Sequence, residues 1–202
     1  MKYVLRVLVV IAMIVGIVFG ISYCNNRKST TQQFQSDFVL SVQTKDNANE
    51  KKDLFLSKIG MERYNYQKEL ENLFNNIEDL YSYVENYAGE IYLIDNISND
   101  DLNKMKSLRE DVENARDDML SKMQEVVKIV EKGGNVDDTA MSDLHDSIIH
   151  KVKVYRLKFA YVCQFTLNYV KINVRNDSNN DGKLANTIDT VNSLTESYKE
   201  DR

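Results

Sequence analysis

Apolar residues recur three and four apart along most of the chain beyond residue 50. Leu70, Leu73, Ile77, Leu80, Val84, Tyr87, Ile91 and Ile94 form a heptad seam without a skip, the spacing that holds one face of a helix apolar. Phe74, Tyr81 and Ala88 lie one step beside it. A stripe that wide suits a helix packed against two or more partners rather than a two-stranded coil. Leu56, Ile59 and Tyr66 keep the same phase upstream, with Arg63 the single exception, so the pattern predicts one helix from about Glu50 to Ile94.

Ser98-Asn99-Asp100-Asp101 reads as the next helix start. A serine cap satisfies orphan N–H groups, and carboxylates in the first turn complement the positive helix end. Met105, Leu108, Val112, Ala115, Met119, Met123, Val126 and Val130 mark its apolar face, and Gly133-Gly134 stops it. A third helix is expected from about Asp138 to Asn176, with Met141, Leu144, Ile148, Val152, Tyr155, Phe159, Val162, Phe165, Tyr169 and Ile172 on its buried side. Its β-branched residues would also suit a strand, but more than thirty residues without a turn signal favour helix. A shorter helix carrying Leu184, Ile188, Val191, Leu194 and Tyr198 follows. The predicted fold class is all-α: an elongated antiparallel bundle of three long helices plus a shorter C-terminal one, spanning residues 50–202.

Short loops make consecutive helices antiparallel neighbours, and the charges offer a check. Folding about residue 135 sets Lys151, Lys153, Arg156 and Lys158 level with Asp118, Asp117, Glu113 and Asp111. Folding near Asn96 sets Lys122, Arg116 and Lys106 level with Glu71, Glu78 and Glu85.

Before the bundle the pattern changes twice. Val7 to Cys24 is uncharged and apolar, near the shortest length that spans a bilayer. Lys2 and Arg6 precede it and Arg27 and Lys28 follow, a bias that favours the amino terminus in the cytoplasm. Residues 1–24 are therefore expected to be a transmembrane signal-anchor or leader. Two other fates stay open: cleavage after Gly20-Ile21-Ser22, and lipidation at Cys24. The stretch around Cys24 resembles a bacterial lipoprotein leader and tether, although Tyr23 is larger than that pattern prefers. Residues 25–49 are polar, relieved by Phe34, Phe38, Val39, Leu40 and Val42. They are expected to be a spacer with some helix, the alternative being a short helix that packs on the bundle or extends the membrane helix.

Composition narrows the function. The chain has no Pro and only 7 Gly in 202 residues, in keeping with long uninterrupted helices. A net charge of −5 repels phosphate backbones and argues against nucleic-acid partners. Cys24 and Cys163 are too few for a disulfide framework.

Candidate chemistry is sparse. Asp177, Asn179 and Asp181, followed by Gly182, resemble the first half of an EF-hand-like or dockerin-like Ca²⁺ loop. The closing carboxylate is missing: Ile188 stands at the twelfth position, and Asp189 comes one residue late. The same residue types also make ordinary turns. His145 and His150, the only histidines, are five apart and diverge on a helix, so solvated side chains are expected. Cys163 flanks the apolar stripe, where a thiol is inert packing. No cofactor is predicted, and no spacing converges polar groups on a catalytic pocket.

The sequence therefore predicts a membrane-anchored, non-catalytic helical-bundle envelope protein, with the bulk of the chain on the extracytoplasmic side. It would act as scaffold, spacer or docking surface for another protein or for a second copy through its helix faces. The alternative is an exported sensory bundle with a weak Ca²⁺ or small-ligand site near the C-terminal loop. The stretch IEDLYSYVENYAGE, Ile77 to Glu90, resembles the first bundle helix of LemA-type envelope proteins. The resemblance covers those fourteen residues and implies the same layout, one leading membrane helix and then a bundle.

Overall fold

The computed structural model describes residues 29–59, 64–94, 97–133, 138–174 and 182–201. All five segments are helical, and no strand occurs among them. The helices are α1 (Thr30–Ile59), α2 (Tyr64–Ala88), α3 (Asn99–Glu131), α4 (Asp138–Asn173) and α5 (Gly182–Glu200), with a 3₁₀ turn at Gly89–Leu93 after α2. At 1.5 Å per residue the 36 residues of α4 extend for roughly 54 Å. No described helix is long and apolar enough to cross a membrane. The leader Val7 to Cys24 lies outside the described residues.

The predicted seams are mostly buried, although Val130 at the end of the α3 seam is 38% exposed. Leu70, Leu73, Ile77, Leu80, Val84, Tyr87, Ile91 and Ile94 all sit in the core, as do Met105, Val112, Met119, Met123 and Val126 of α3. The α3 start is as read: Ser98 Oγ accepts from the Asp101 amide at 3.0 Å, and Asp100 and Asp101 occupy the first turn. Gly133 closes that helix at φ +62°, a left-handed value that a Cβ disfavours. In α5, Leu184, Ile188, Val191 and Tyr198 are buried.

Three features depart from the sequence reading. First, from Thr30 onward the polar segment is helix packed on the bundle, the alternative the sequence left open, and not a spacer. Thr30 to Ile59 form one continuous helix that runs across the boundary expected at residue 50 and buries Phe34, Phe38, Ala48 and Phe55. The helix predicted from Glu50 to Ile94 is accordingly two, α1 ending at Ile59 and α2 beginning at Tyr64. Among the described residues the bundle thus has four long helices rather than three.

Second, chain neighbours are not all spatial neighbours. Helix α1 packs chiefly on α3, while α2 and α3 barely touch. Asp37 meets Arg109 at 2.7 Å and Lys58 meets Glu131 at 3.1 Å, so α1 and α3 run parallel. Helix α2 runs antiparallel to α1, with Glu78 on Lys45 and the Ile91 carbonyl near Gln35. The charge pairs expected across Asn96 therefore do not form. Glu78 is taken by α1, and Arg116, Lys122 and Lys106 pair within their own helix to Asp117, Glu125 and Glu110. The other hairpin is half right. Lys151 lies 3.4 Å from Asp118 and Lys158 lies 2.7 Å from Asp111. Lys153 and Arg156 instead face α5 and share Asp201.

Third, α4 is the hub. It packs against α2, α3 and α5, so burial spreads beyond the predicted stripe to Ile149, Leu157, Ala160, Leu167 and Val170. Ile172, placed on the buried side by its spacing, is 63% exposed in the last turn.

Candidate docking groove and the polar face of helix α1

The buried face of α1 follows a heptad through Phe34, Phe38, Ser41, Lys45, Ala48, Lys52, Phe55 and Ile59, with Thr44 beside it. Small and polar residues occupy positions that Leu or Ile would fill in α2. Each of the polar ones finds a partner. Ser41 Oγ donates to the Asp37 carbonyl at 2.8 Å, and Thr44 Oγ1 donates to the Ser41 carbonyl at 2.6 Å. Thr44 Oγ1 also lies 3.2 Å from the hydroxyl of fully buried Tyr155 on α4. Burial pushes the Tyr155 hydroxyl well above the ordinary tyrosine range, with the Thr44 hydrogen bond acting against it.

Lys45 is the buried charge of this face. Its ammonium donates to both Glu78 oxygens at 2.9 and 2.7 Å, and Asn49 Nδ2 also donates to Glu78. Burial works against the Lys45 charge, but the Glu78 and Asp46 hydrogen bonds outweigh it and hold the pKa above the usual lysine value. The lysine ammonium groups lie over rings of α2: Lys45 Nζ is 4.8 Å from the Tyr81 centroid and Lys52 Nζ 5.3 Å from that of Phe74. This is how an amphipathic side chain fills a seam position, stem covered and head paired. On the α3 side, Arg109 contacts Asp37 at 2.7 Å and Glu113 at 2.5 Å.

Toward their carboxyl ends α1 and α3 border a groove of about 330 Å³. Leu54, Phe55, Leu120, Met123 and Val127 form its floor and walls. Lys51, Lys58 and Lys128 stand at its rim with a single carboxylate, Glu131, which pairs with Lys58. Leu54 is 55% exposed beside this slot. An apolar trough bordered by three ammonium groups can hold an apolar stripe flanked by carboxylates. It brings together no set of groups for acid–base or nucleophilic chemistry.

Asp177, Asn179 and Asp181 lie outside the described residues, as does Cys24. Among the described residues no group of three or more His, Cys, Asp or Glu side chains could hold a metal ion. His150 is exposed as expected. His145 is not: it is buried and stacked on Tyr66, ring centroids 4.0 Å apart, because α4 turns that side toward α2. Cys163 is buried and its thiol is pushed above the ordinary range by desolvation, leaving it inert.

Sequence reasoning missed the groove and the C-terminal clasp. In the clasp, buried Arg156 lies 3.8 Å over the Tyr198 ring, and its guanidinium contacts Asp201 at 2.6 Å. Lys51, Leu54 and Lys58 lie on one helical side and were legible as a lysine-flanked apolar site, but their partner helix was not. No family model, no curated protein and no solved structure matches the chain, so the fourteen-residue resemblance to LemA-type proteins is without wider support.

Proposed function

We propose that the protein is a membrane-anchored, non-catalytic helical scaffold that docks an acidic amphipathic helix of a partner protein. The observation that carries the docking part is the groove between α1 and α3, where three lysines border an apolar slot on a chain of net charge −5. A partner helix would lay its apolar stripe over Leu54 and Val127 and set carboxylates against Lys51, Lys58 and Lys128. Side chains at i, i+3, i+4 and i+7 make contacts of this kind in helix-in-groove recognition. The uncharged run Val7 to Cys24 supports the anchored part.

The sequence contains no Trp, so Leu54→Trp places a single reporter in the groove. A designed amphipathic peptide with Glu flanking its apolar face should shift that emission, and the response should weaken with salt as exposed charge pairs are screened. Replacing Lys51, Lys58 and Lys128 by Glu should abolish the response. The same peptide with Lys in place of Glu should give none. Equal binding of both peptides, or of neither, overturns the docking reading. For the anchor, intact mass of protein extracted from membranes should give the full-length chain. Loss of residues 1–22 or added acyl chains at Cys24 would establish a different attachment.

A further inference from the structure

One end of the bundle gathers the start of α1, the end of α2 with its 3₁₀ turn, the start of α3 and the end of α4. Three contacts define it. Gln35 Nε2 donates to the Ile91 carbonyl at 3.4 Å, Phe34 packs on Tyr169 with centroids 4.9 Å apart, and Tyr169 hydrogen-bonds Asp101. This is the end from which the chain runs back from Thr30 to the apolar run ending at Cys24, only five residues before α1.

Among the described residues six large apolar side chains are exposed, and four lie toward this end: Leu40 at 40%, Tyr92 at 57%, Leu93 at 66% and Ile172 at 63%. Scattered exposed apolar residues are common and need no cause. These are not scattered. Tyr92 and Leu93 are consecutive on a 3₁₀ turn that holds Ile91 inside, and Ile172 closes α4. Exposed Lys171 and Lys183 accompany them, with the carboxylates of exposed Asp100 and half-buried Glu90 at the same end. An apolar tip carrying a tyrosine beside lysines matches the chemistry of the bilayer interface, where amphipathic rings sit at headgroup level.

We infer that this end of the bundle rests on the lipid surface, with Tyr92, Leu93 and Ile172 seated in the interfacial layer beside the anchor. The inference rests on the anchored reading. It adds that the bundle stands on the membrane rather than swinging from a slack tether, which places the α1–α3 groove at the far end. Apolar faces of interfacial elements settle roughly 5–10 Å into the headgroup and acyl boundary, the depth that a two-residue tip can reach.

The test uses full-length protein in vesicles of phosphatidylethanolamine and phosphatidylglycerol carrying bromine on the acyl chains, with Leu93→Trp as reporter and Val130→Trp as the control at the opposite end. The expected result is co-flotation of both variants, with Leu93→Trp emission shifted to the blue and quenched several-fold more than Val130→Trp. Both positions are exposed, so neither substitution disturbs the core. Co-flotation with equal quenching at the two positions overturns the inference and leaves the anchor standing. Failure of both proteins to float overturns the anchored reading and the inference together.

Discussion

At the scale of single residues, the structure turns on polar side chains placed where a bundle normally puts leucine. Lys45 is 8% exposed in its side chain while Glu78 is 41% exposed, so the two members of the pair stand in different surroundings. Water screens much of the Glu78 charge. Removing the carboxylate nonetheless leaves a buried ammonium short of its main partner. Glu78→Ala should therefore lower the unfolding free energy by about 1–2 kcal/mol, measured by urea denaturation. Asp46→Ala, which removes a carboxylate 70% exposed, should cost less. The pH dependence has a definite sign. Lys45 has a folded pKa above its ordinary value of 10.5, so its contribution is full below that value and is lost as pH rises through the folded value. The gap between wild type and Glu78→Ala should close in strong alkali and persist at neutral pH.

At the scale of elements, legibility followed the chemistry of each face. Helices α2, α3 and α5 could be read because Leu, Ile, Val and Met hold their seams, and the Ser98 cap and Gly133 stop mark α3 by types that serve few other purposes. Helix α1 carries an equally regular heptad, but Ser41, Lys45, Ala48 and Lys52 hide it from any scan that counts apolar positions. Its partner was illegible for another reason: the antiparallel rule assigns α3 to α2, and only tertiary packing shows that α1 has taken that place. Helix α5 shows how an element is held by its end. Asp201 is desolvated, which alone would raise its pKa, but hydrogen bonds from Lys153 and Arg156 prevail and hold it below the usual carboxylate value of 3.8. Its contribution is therefore present above that value and is lost as pH falls through the lower folded value. Hydrogen exchange across Gly182–Glu200 should quicken in that acid range before exchange in α3 does. At neutral pH Asp201→Asn should produce the same selective quickening, because it takes the carboxylate charge from Arg156 and Lys153 and leaves only a neutral acceptor. Uniform quickening across all helices would contradict the clasp.

At the scale of the molecule, the fold reading was right in class and incomplete in extent. Cutting where the composition changes, at residue 50, would divide α1 and remove Phe34 and Phe38 from the core. Each buried Phe contributes about 1.5–3 kcal/mol, so their loss is a large share of the roughly 5–15 kcal/mol that holds a domain together. A fragment of residues 50–202 should melt without a sharp transition and bind a hydrophobic dye. A fragment of residues 29–202 should melt cooperatively, as followed by circular dichroism. Two similar melts would place α1 outside the folding unit.

The parallel pairing of α1 with α3 also bears on assembly. A chain emerging amino terminus first delivers α1 about seventy residues before the helix that covers it, and contacts at such separation form slowly. Through that interval α1 has only α2 to pair with. A greasy seam would invite clumping with neighbouring chains, whereas Thr44, Lys45 and Lys52 keep the sides that meet α4 and α2 wet until the bundle closes.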